Sequence, residues 1–441
     1  MHFNYLIRIF SLLLLLSAVQ PQSYFRGTVG NFTPSITARS LAMGHTGVAA
    51  DNGISNLWTN PALLRQETLF SAEIAYLSTK VEEKRSFPVI DMFDDRVTDN
   101  IYNINRNRYS NTAFGIMIKP KTLPLSLAFG KSPFMDFRYD YEEEVRASLS
   151  SSHYNRDPLV GYHRISRDGR LWMQSGGASL NLGMLSTGIT ISYLQEEAIS
   201  NERSVIVIEQ DNALASDTTL ILSGDPKLEN PTPMVTVGVA LDLTNRFRIG
   251  ASFRSQVEFD LLSSLEIPIA DEETLLPSFA WQDSIVDLSF SVPEVISVGI
   301  NYRPKNPIPA QISAEVRYTD WSEFSITYSD SINESIKFPV NLRECFDFRV
   351  GLEHLVLSKI PFRFGFVYSQ SPYGEEFDRT LFTAGTGFPI GDKLTIDVSV
   401  EFSMGQYSYP DLFPAVGSVA GDLETVRESH SGFALNMRYA P

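Results

Sequence analysis

Charged residues in this chain recur at alternate positions within apolar runs. Arg248, Arg254, Glu258, Glu315, Arg317, Asp347, Arg349, Glu353, Arg363, Asp397, Glu401 and Arg438 all take the parity opposite to their aliphatic and aromatic neighbours. Acids and bases interleaved this way have two uses. Brought together, they pair with one another and stiffen a wall. An arginine left without an internal acid can instead hold a ligand carboxylate, because the guanidinium fork matches both oxygens. Arg254 and Arg317, on runs that lead toward long connections, are the candidates for that second role.

Other chemistry is missing. No G-x-S-x-G elbow, Walker loop, dinucleotide fingerprint or H-E-x-x-H motif occurs, so no enzymatic activity is expected. His2, His45, His153, His163, His354 and His430 are scattered, which supports neither a metal site nor any other cofactor. The acidic stretch 91–99 reads as a solvated loop. Cys345 is the single cysteine and cannot form an internal disulfide. A formal net charge of −16 argues against nucleic acid as a partner.

The charges need strands to present them. From Phe247 to Asp260, Phe247, Ile249, Ala251, Phe253, Val257 and Phe259 share one parity, interrupted only by Ser255. Arg248, Gly250, Ser252, Arg254, Gln256, Glu258 and Asp260 hold the other. Successive strand side chains point to opposite faces, so the pattern predicts one apolar face and one polar face. About fourteen such runs are bounded by turn residues. They lie near 68–77, 112–119, 123–133, 169–180, 184–195, 234–243, 246–260, 294–302, 310–319, 346–354, 361–369, 380–388, 393–405 and 430–439.

Connection lengths decide the class. After the first run they alternate long and short to the end of the chain. Outer-membrane barrels have an even strand number, tight periplasmic turns and long external loops. The expectation is an all-β, 14-stranded antiparallel transmembrane β-barrel in the outer membrane of a Gram-negative-type bacterium, with both termini periplasmic. Residues 1–22 read as a secretory signal, with Arg8 ahead of a short apolar run. Residues 67–441 form the barrel. Phe433, Leu435, Met437 and Tyr439 give the last strand an alternating aromatic ending, although the chain continues to Ala440-Pro441. Aromatics in the long connections (Phe134, Phe137, Tyr139, Tyr141, Phe279 and Trp281) suit either an external apolar dock or an interfacial belt.

Between signal and barrel, residues 23–66 lack alternation and are rich in small residues. They are too polar for lipid, and a confined lumen would suit them. Ala38-Arg39, Met43-Gly44, Gly47, Ala49-Ala50-Asp51 and Asn60-Pro61-Ala62-Leu63, in this order and spacing, resemble the N-terminal signature of the long-chain fatty acid transporter (FadL/TodX) family. Thr319–Phe324 and Tyr368–Pro372 are also similar to family features. Two positions depart: His45 replaces a second glycine after Met-Gly, and Leu64 stands where a glycine often closes the Asn-Pro-Ala motif.

The resemblance implies a barrel closed by an N-terminal plug, or hatch, carrying Arg39, Met43, Gly44, Gly47, Asp51, Asn60, Pro61 and Ala62. Hydrophobic molecules such as long-chain fatty acids or aromatic hydrocarbons would be taken up passively and leave sideways, where the third strand is kinked. Gly130, Pro133 and Phe134 mark the corresponding place, because proline cannot donate to the ladder and glycine weakens a strand. The other reading of Pro133 is that it simply ends that strand. Implied partners are hydrophobic small molecules, outer-membrane lipid and lipopolysaccharide, around a monomer. The alternative is a shuttle or scaffold resembling the PorV-type component of type IX secretion, with no small-molecule transport.

Overall fold

In the computed structural model, fourteen strands close into one antiparallel barrel. It describes residues 31–33, 36–65, 68–93, 95–120, 123–146, 159–208, 216–270, 277–305, 309–330, 336–337, 342–356, 360–413 and 423–441. The expected signal, 1–22, lies outside these.

The first five strands are β1 (Phe70–Ile90), β2 (Arg96–Ile118), β3 (Leu125–Asp136, continued by Tyr139–Arg146), β4 (Leu159–Leu182) and β5 (Leu185–Ile208). Next come β6 (Met234–Thr244), β7 (Phe247–Arg254, continued by Val257–Ala270), β8 (Pro277–Val292, continued by Val295–Tyr302) and β9 (Ala310–Asp320). The last are β10 (Glu344–Val356), β11 (Ile360–Ser369), β12 (Arg379–Ile390), β13 (Leu394–Pro410) and β14 (Leu423–Tyr439). Closure is made by β1 and β14, in register from Ala72↔Tyr439 to Ser86↔Thr425.

Period-2 patterning builds both faces. On β8, Ile296, Val298, Ile300 and Tyr302 are each more than 40% exposed, whereas Ser297 and Asn301 are buried. The exposed band recurs on other strands, as with Phe346, Phe348, Val350 and Leu352 on β10. Apolar surface this continuous would be a liability in water and suits lipid. At the end with the short connections the turns are tight, and Gly183 takes φ +86° between β4 and β5, a conformation open to glycine.

Two expectations are corrected. Among the described residues much of the length of most long connections, 370–379 excepted, is strand rather than loop: β1 and β2 pair from Phe70↔Ile118 out to Ile90↔Arg96. Their outer halves escape a search for alternation because both faces are polar above the lipid band, while backbone pairing persists. The second correction lies in β7. Ser255 and Gln256 interrupt the strand, and the parity inverts there. Phe253 faces out, whereas Val257 and Phe259 are buried and Glu258 is exposed, not in the lumen. Pro293-Glu294 interrupts β8 at the same level, so Phe290 and Val292 turn inward with them.

Candidate functional site

The N-terminal segment packs against the inner faces of the strands. It folds as α1 (Ala38–Ala42), a 3-10 turn (Gly53–Ser55), α2 (Asn56–Thr59) and a second 3-10 turn (Pro61–Leu63). Asn60 is its hinge. Its Oδ1 accepts from Ala62 N at 3.1 Å, capping the turn that Pro61 opens. Its Nδ2 donates to Val48 O at 2.6 Å and to Val239 O of β6 at 3.1 Å. Ala62 is buried with Leu63 against Ala240.

Wall charges hold the rest. Arg39 meets Glu353 at 3.1 Å, and Arg363 joins Glu353 (2.7 Å) to Asp397 (2.6 Å). Arg248 joins Asp51 (2.9 Å) to Asp242 (2.6 Å), which also receives Arg65 at 2.7 Å. The backbone N–H groups of Gly47 and Val48 both donate to Glu315 Oε2, at 2.8 and 3.0 Å. Gly44, at φ +64°, donates from N to Thr383 Oγ1 at 3.2 Å and lies against Gly365. Met43 presents its carbonyl to Gly351, where a side chain on the wall would collide with it. Most lumen-parity charges that the sequence offers are therefore spent on one another and on this segment.

His45 explains one departure from the family signature. It adopts φ +57°, a region that favours glycine and costs another residue about 1–3 kcal/mol. Its Nε2 lies 3.1 Å from Glu401 Oε2, and His430 Nε2 meets the other oxygen at 2.9 Å. Leu64 needs no glycine: its φ is −71° and it is fully buried.

Above the segment lies an apolar chamber. Phe134, Leu171, Met173, Val257, Phe259, Phe290 and Phe324 are buried in one cluster, with Phe32, Trp58 and Trp321 against it. A cavity of about 210 Å³ opens there, lined by Phe32, Trp58, Phe134, Met173, Arg254, Arg317 and Trp321 among others. The two arginines singled out from sequence thus share one cavity. Among the described residues neither guanidinium has a hydrogen-bond or ion-pair partner, and the Nε of each is buried without one. Arg254 lies over the Phe134 ring, 5.7 Å from its centroid. Asp347 and Glu315, whose charges reach Arg317, are already engaged by Arg349 at 2.8 and 3.5 Å.

Gly130, Pro133 and Phe134 lie at a real interruption. The β2–β3 ladder runs from Ile118↔Leu127 to Phe114↔Lys131 and stops. The strand itself continues to Asp136, so Pro133 does not end it. On the β4 side Pro133 pairs with Trp172 and Met135 with Leu171, which leaves Phe134 as the extra residue of a bulge, turned into the chamber. Asn31 and Phe32 pair with Asp136 and Met135, taking the edge that β2 leaves. Higher up, Asn111 Nδ2 reaches Asp136 Oδ2 at 3.3 Å, and further out β2 side chains bond the β3 backbone, Asn103 Nδ2 donating to Glu142 O at 3.0 Å and Asn105 Oδ1 accepting from Glu142 N at 3.1 Å.

The aromatic expectation needs correcting here. Phe134 and Phe137 are buried in the chamber cluster, and Tyr139 and Tyr141 are buried among the outer hairpins, so these four form neither a dock nor a belt. The side chains of Phe279 and Trp281 lie outside the described residues. Sequence reading also missed Arg85, which is wholly buried in those hairpins. It pairs with Glu83 at 2.7 Å and Glu424 at 3.3 Å and stacks on Tyr141 and Tyr409. No local pattern marks it, because apart from Glu83 its partners come from distant strands.

A family model described as outer membrane protein transport protein (OMPP1/FadL/TodX) matches residues 183–414. The chain belongs to this family. Members of the OMPP1/FadL/TodX family are outer-membrane channels for hydrophobic compounds and not enzymes. No curated protein sequence matches the chain. Among solved structures it is similar to a Pseudomonas aeruginosa FadL homologue, with 13% identity and TM-score 0.66 over 93% of this chain and 99% of that one. The Ralstonia pickettii toluene transporter TbuX gives 16% identity and TM-score 0.59 over 92% and 98%. The monoaromatic hydrocarbon channel CymD gives 12% and 0.58 over 93% and 99%. At these identities the structures speak for the fold alone.

Proposed function

We propose that this OMPP1/FadL/TodX member carries hydrophobic carboxylic acids, long-chain fatty acids being the type, passively into the outer membrane. The observation that supports this is the pair of guanidinium groups without a hydrogen-bond or ion-pair partner, Arg254 and Arg317, in a cavity of mixed lining that abuts the apolar chamber cluster. A burial this costly gains its return when an anionic head arrives with an apolar body. An aromatic hydrocarbon offers those arginines only the weaker attraction of its ring face. In this reading the N-terminal segment is the hatch that closes the lumen toward the periplasm. The ligand leaves the chamber beside Phe134, through the interrupted β2–β3 ladder once Asn31 and Phe32 give up the β3 edge, and reaches lipid without crossing water. Both termini then face the periplasm, after a signal in residues 1–22 has directed export, and the barrel works as a monomer among outer-membrane lipid and lipopolysaccharide.

The type IX shuttle alternative has less support, since a scaffold has no need of an apolar chamber with free cations. The test compares a long-chain acid with its alcohol and with toluene, by calorimetry on the purified barrel and by uptake into cells that depend on it. Binding and uptake of the acid alone are expected. Equal handling of toluene would shift the substrate class to hydrocarbons. No uptake of any, with secreted proteins co-purifying, would favour the shuttle.

A further inference from the structure

Trp58 lies where the hatch meets the lower lip of the gap. Its Nε1 donates to Ser175 Oγ of β4 at 2.9 Å, and Ser175 is hydrogen-bonded in turn to Ser192 of β5 at 2.6 Å. Ser175 pairs in register with Gly130. A Cβ built on Gly130 would lie 2.9 Å from Trp58 Cζ2, so the indole rests directly against the wall backbone. That contact is one residue below Phe114↔Lys131, the last rung before the ladder stops. The ring also lines the cavity. It packs against three separate apolar clusters, those of the chamber, of α1 and of Ile54 with Leu57.

Trp58 is thus a large rigid side chain between the chamber and the interruption, held by one polar anchor. Gly130 supplies the room that the ring occupies, and any larger residue there would push it. Most of Trp58 can therefore be removed without exposing a buried polar group other than Ser175, which keeps Ser192.

We propose that Trp58 sets the cross-section of the side passage and so selects ligands by girth, passing unbranched chains and holding back bulky ones. The inference rests on the side exit proposed above. Apolar pockets discriminate by size because excess bulk cannot be accommodated without displacing packed groups.

The experiment uses the full chain as the sole uptake route in cells, comparing palmitic acid with a dodecanoic acid that carries a terminal pyrene. The readout is the ratio of their initial rates. Trp58→Ala should raise the pyrene-to-palmitate ratio by about tenfold. Trp58→Phe, which keeps a ring and loses only the anchor, should stay within about twofold of wild type. An unchanged ratio in Trp58→Ala, with the barrel folded by heat-modifiable migration, overturns the inference. If Trp58→Ala fails to assemble, Trp58→Val serves, with the same expected rise and the same overturning result. Absence of palmitate uptake by the wild type overturns the transport reading instead, and this inference falls with it.

Discussion

Gly188 of β5 and Gly238 of β6 stand opposite one another in register, and the Asn60-Pro61 step of the hatch lies across both. A Cβ on Gly238 would collide with the Asn60 side chain, and one on Gly188 with the Pro61 backbone. The wall is thinned where the hatch touches it. Gly238→Val should therefore leave the apolar outer face intact yet dislodge the hatch, at a cost of about 1–3 kcal/mol. Single-channel conductance in planar bilayers should rise above wild type. Wild-type conductance with normal thermal stability would show that the contact tolerates a side chain and does not seal.

The free arginines give a prediction about affinity. Arg254→Ala or Arg317→Ala removes a charge-assisted bond worth about 1.5–3 kcal/mol, a loss of about 10- to 150-fold in binding a long-chain acid. The corresponding alcohol should bind either variant about as well as wild type. Calorimetry in detergent makes the comparison. Equal losses for acid and alcohol would assign these arginines to the chamber's architecture instead.

The bulge makes a third. Deleting Phe134 removes the extra residue between Pro133 and Met135 and restores simple alternation along β3. The barrel should assemble, and uptake of a long-chain acid should fall at least about tenfold if the interruption is the exit. Undiminished uptake by a folded variant would place the exit elsewhere.

Arg363 is buried between Glu353 and Asp397, and Glu353 also holds Arg39 of the N-terminal segment. Arg363→Met strands Asp397 and leaves Glu353 to Arg39 alone, and should cost about 3–5 kcal/mol, seen as a lower melting temperature in detergent. Adding Asp397→Asn should recover part of that loss. A variant as stable as wild type would mean that water reaches these groups.

Orientation can be read by labelling in a Cys345→Ser background. A cysteine at Met92, which is exposed at the β1–β2 tip, should react with an impermeant maleimide on intact cells. One at Asp392, in the β12–β13 turn, should react only after the outer membrane is opened. The opposite result would invert the barrel in the membrane.

How much of this is legible in the sequence follows from what each region faces. Lipid on one side and water or salt-bridged charge on the other impose a period of two, so the strand cores, and the set of inward charges that includes Arg254 and Arg317, could be read by parity, while singling out those two also used the long connections their strands lead to. Above the membrane both faces are polar and the period vanishes, which hid the outer hairpins. At Ser255-Gln256 the apolar residues keep their parity in the sequence while the strand turns them over, from lipid below to chamber above. Parity counting cannot see such an inversion, and Glu258 was misplaced by it. The hatch motif was visible as a resemblance, but the work of each residue was not, since Asn60, Arg39 and Gly47 act through partners on strands that lie far along the chain.

Glu73 of β1 accepts from Ile54 N of the hatch at 3.2 Å and from Asn436 Nδ2 of β14 at 2.9 Å. The seam that closes the cylinder is thus lined on its inside by a carboxylate shared with the hatch. Were the segment to leave, Glu73 would give up the Ile54 donor and keep Asn436 across the seam. Seating of the segment and closure of the sheet are thus coupled through one buried side chain, so a change on either side of the seam is felt on the other.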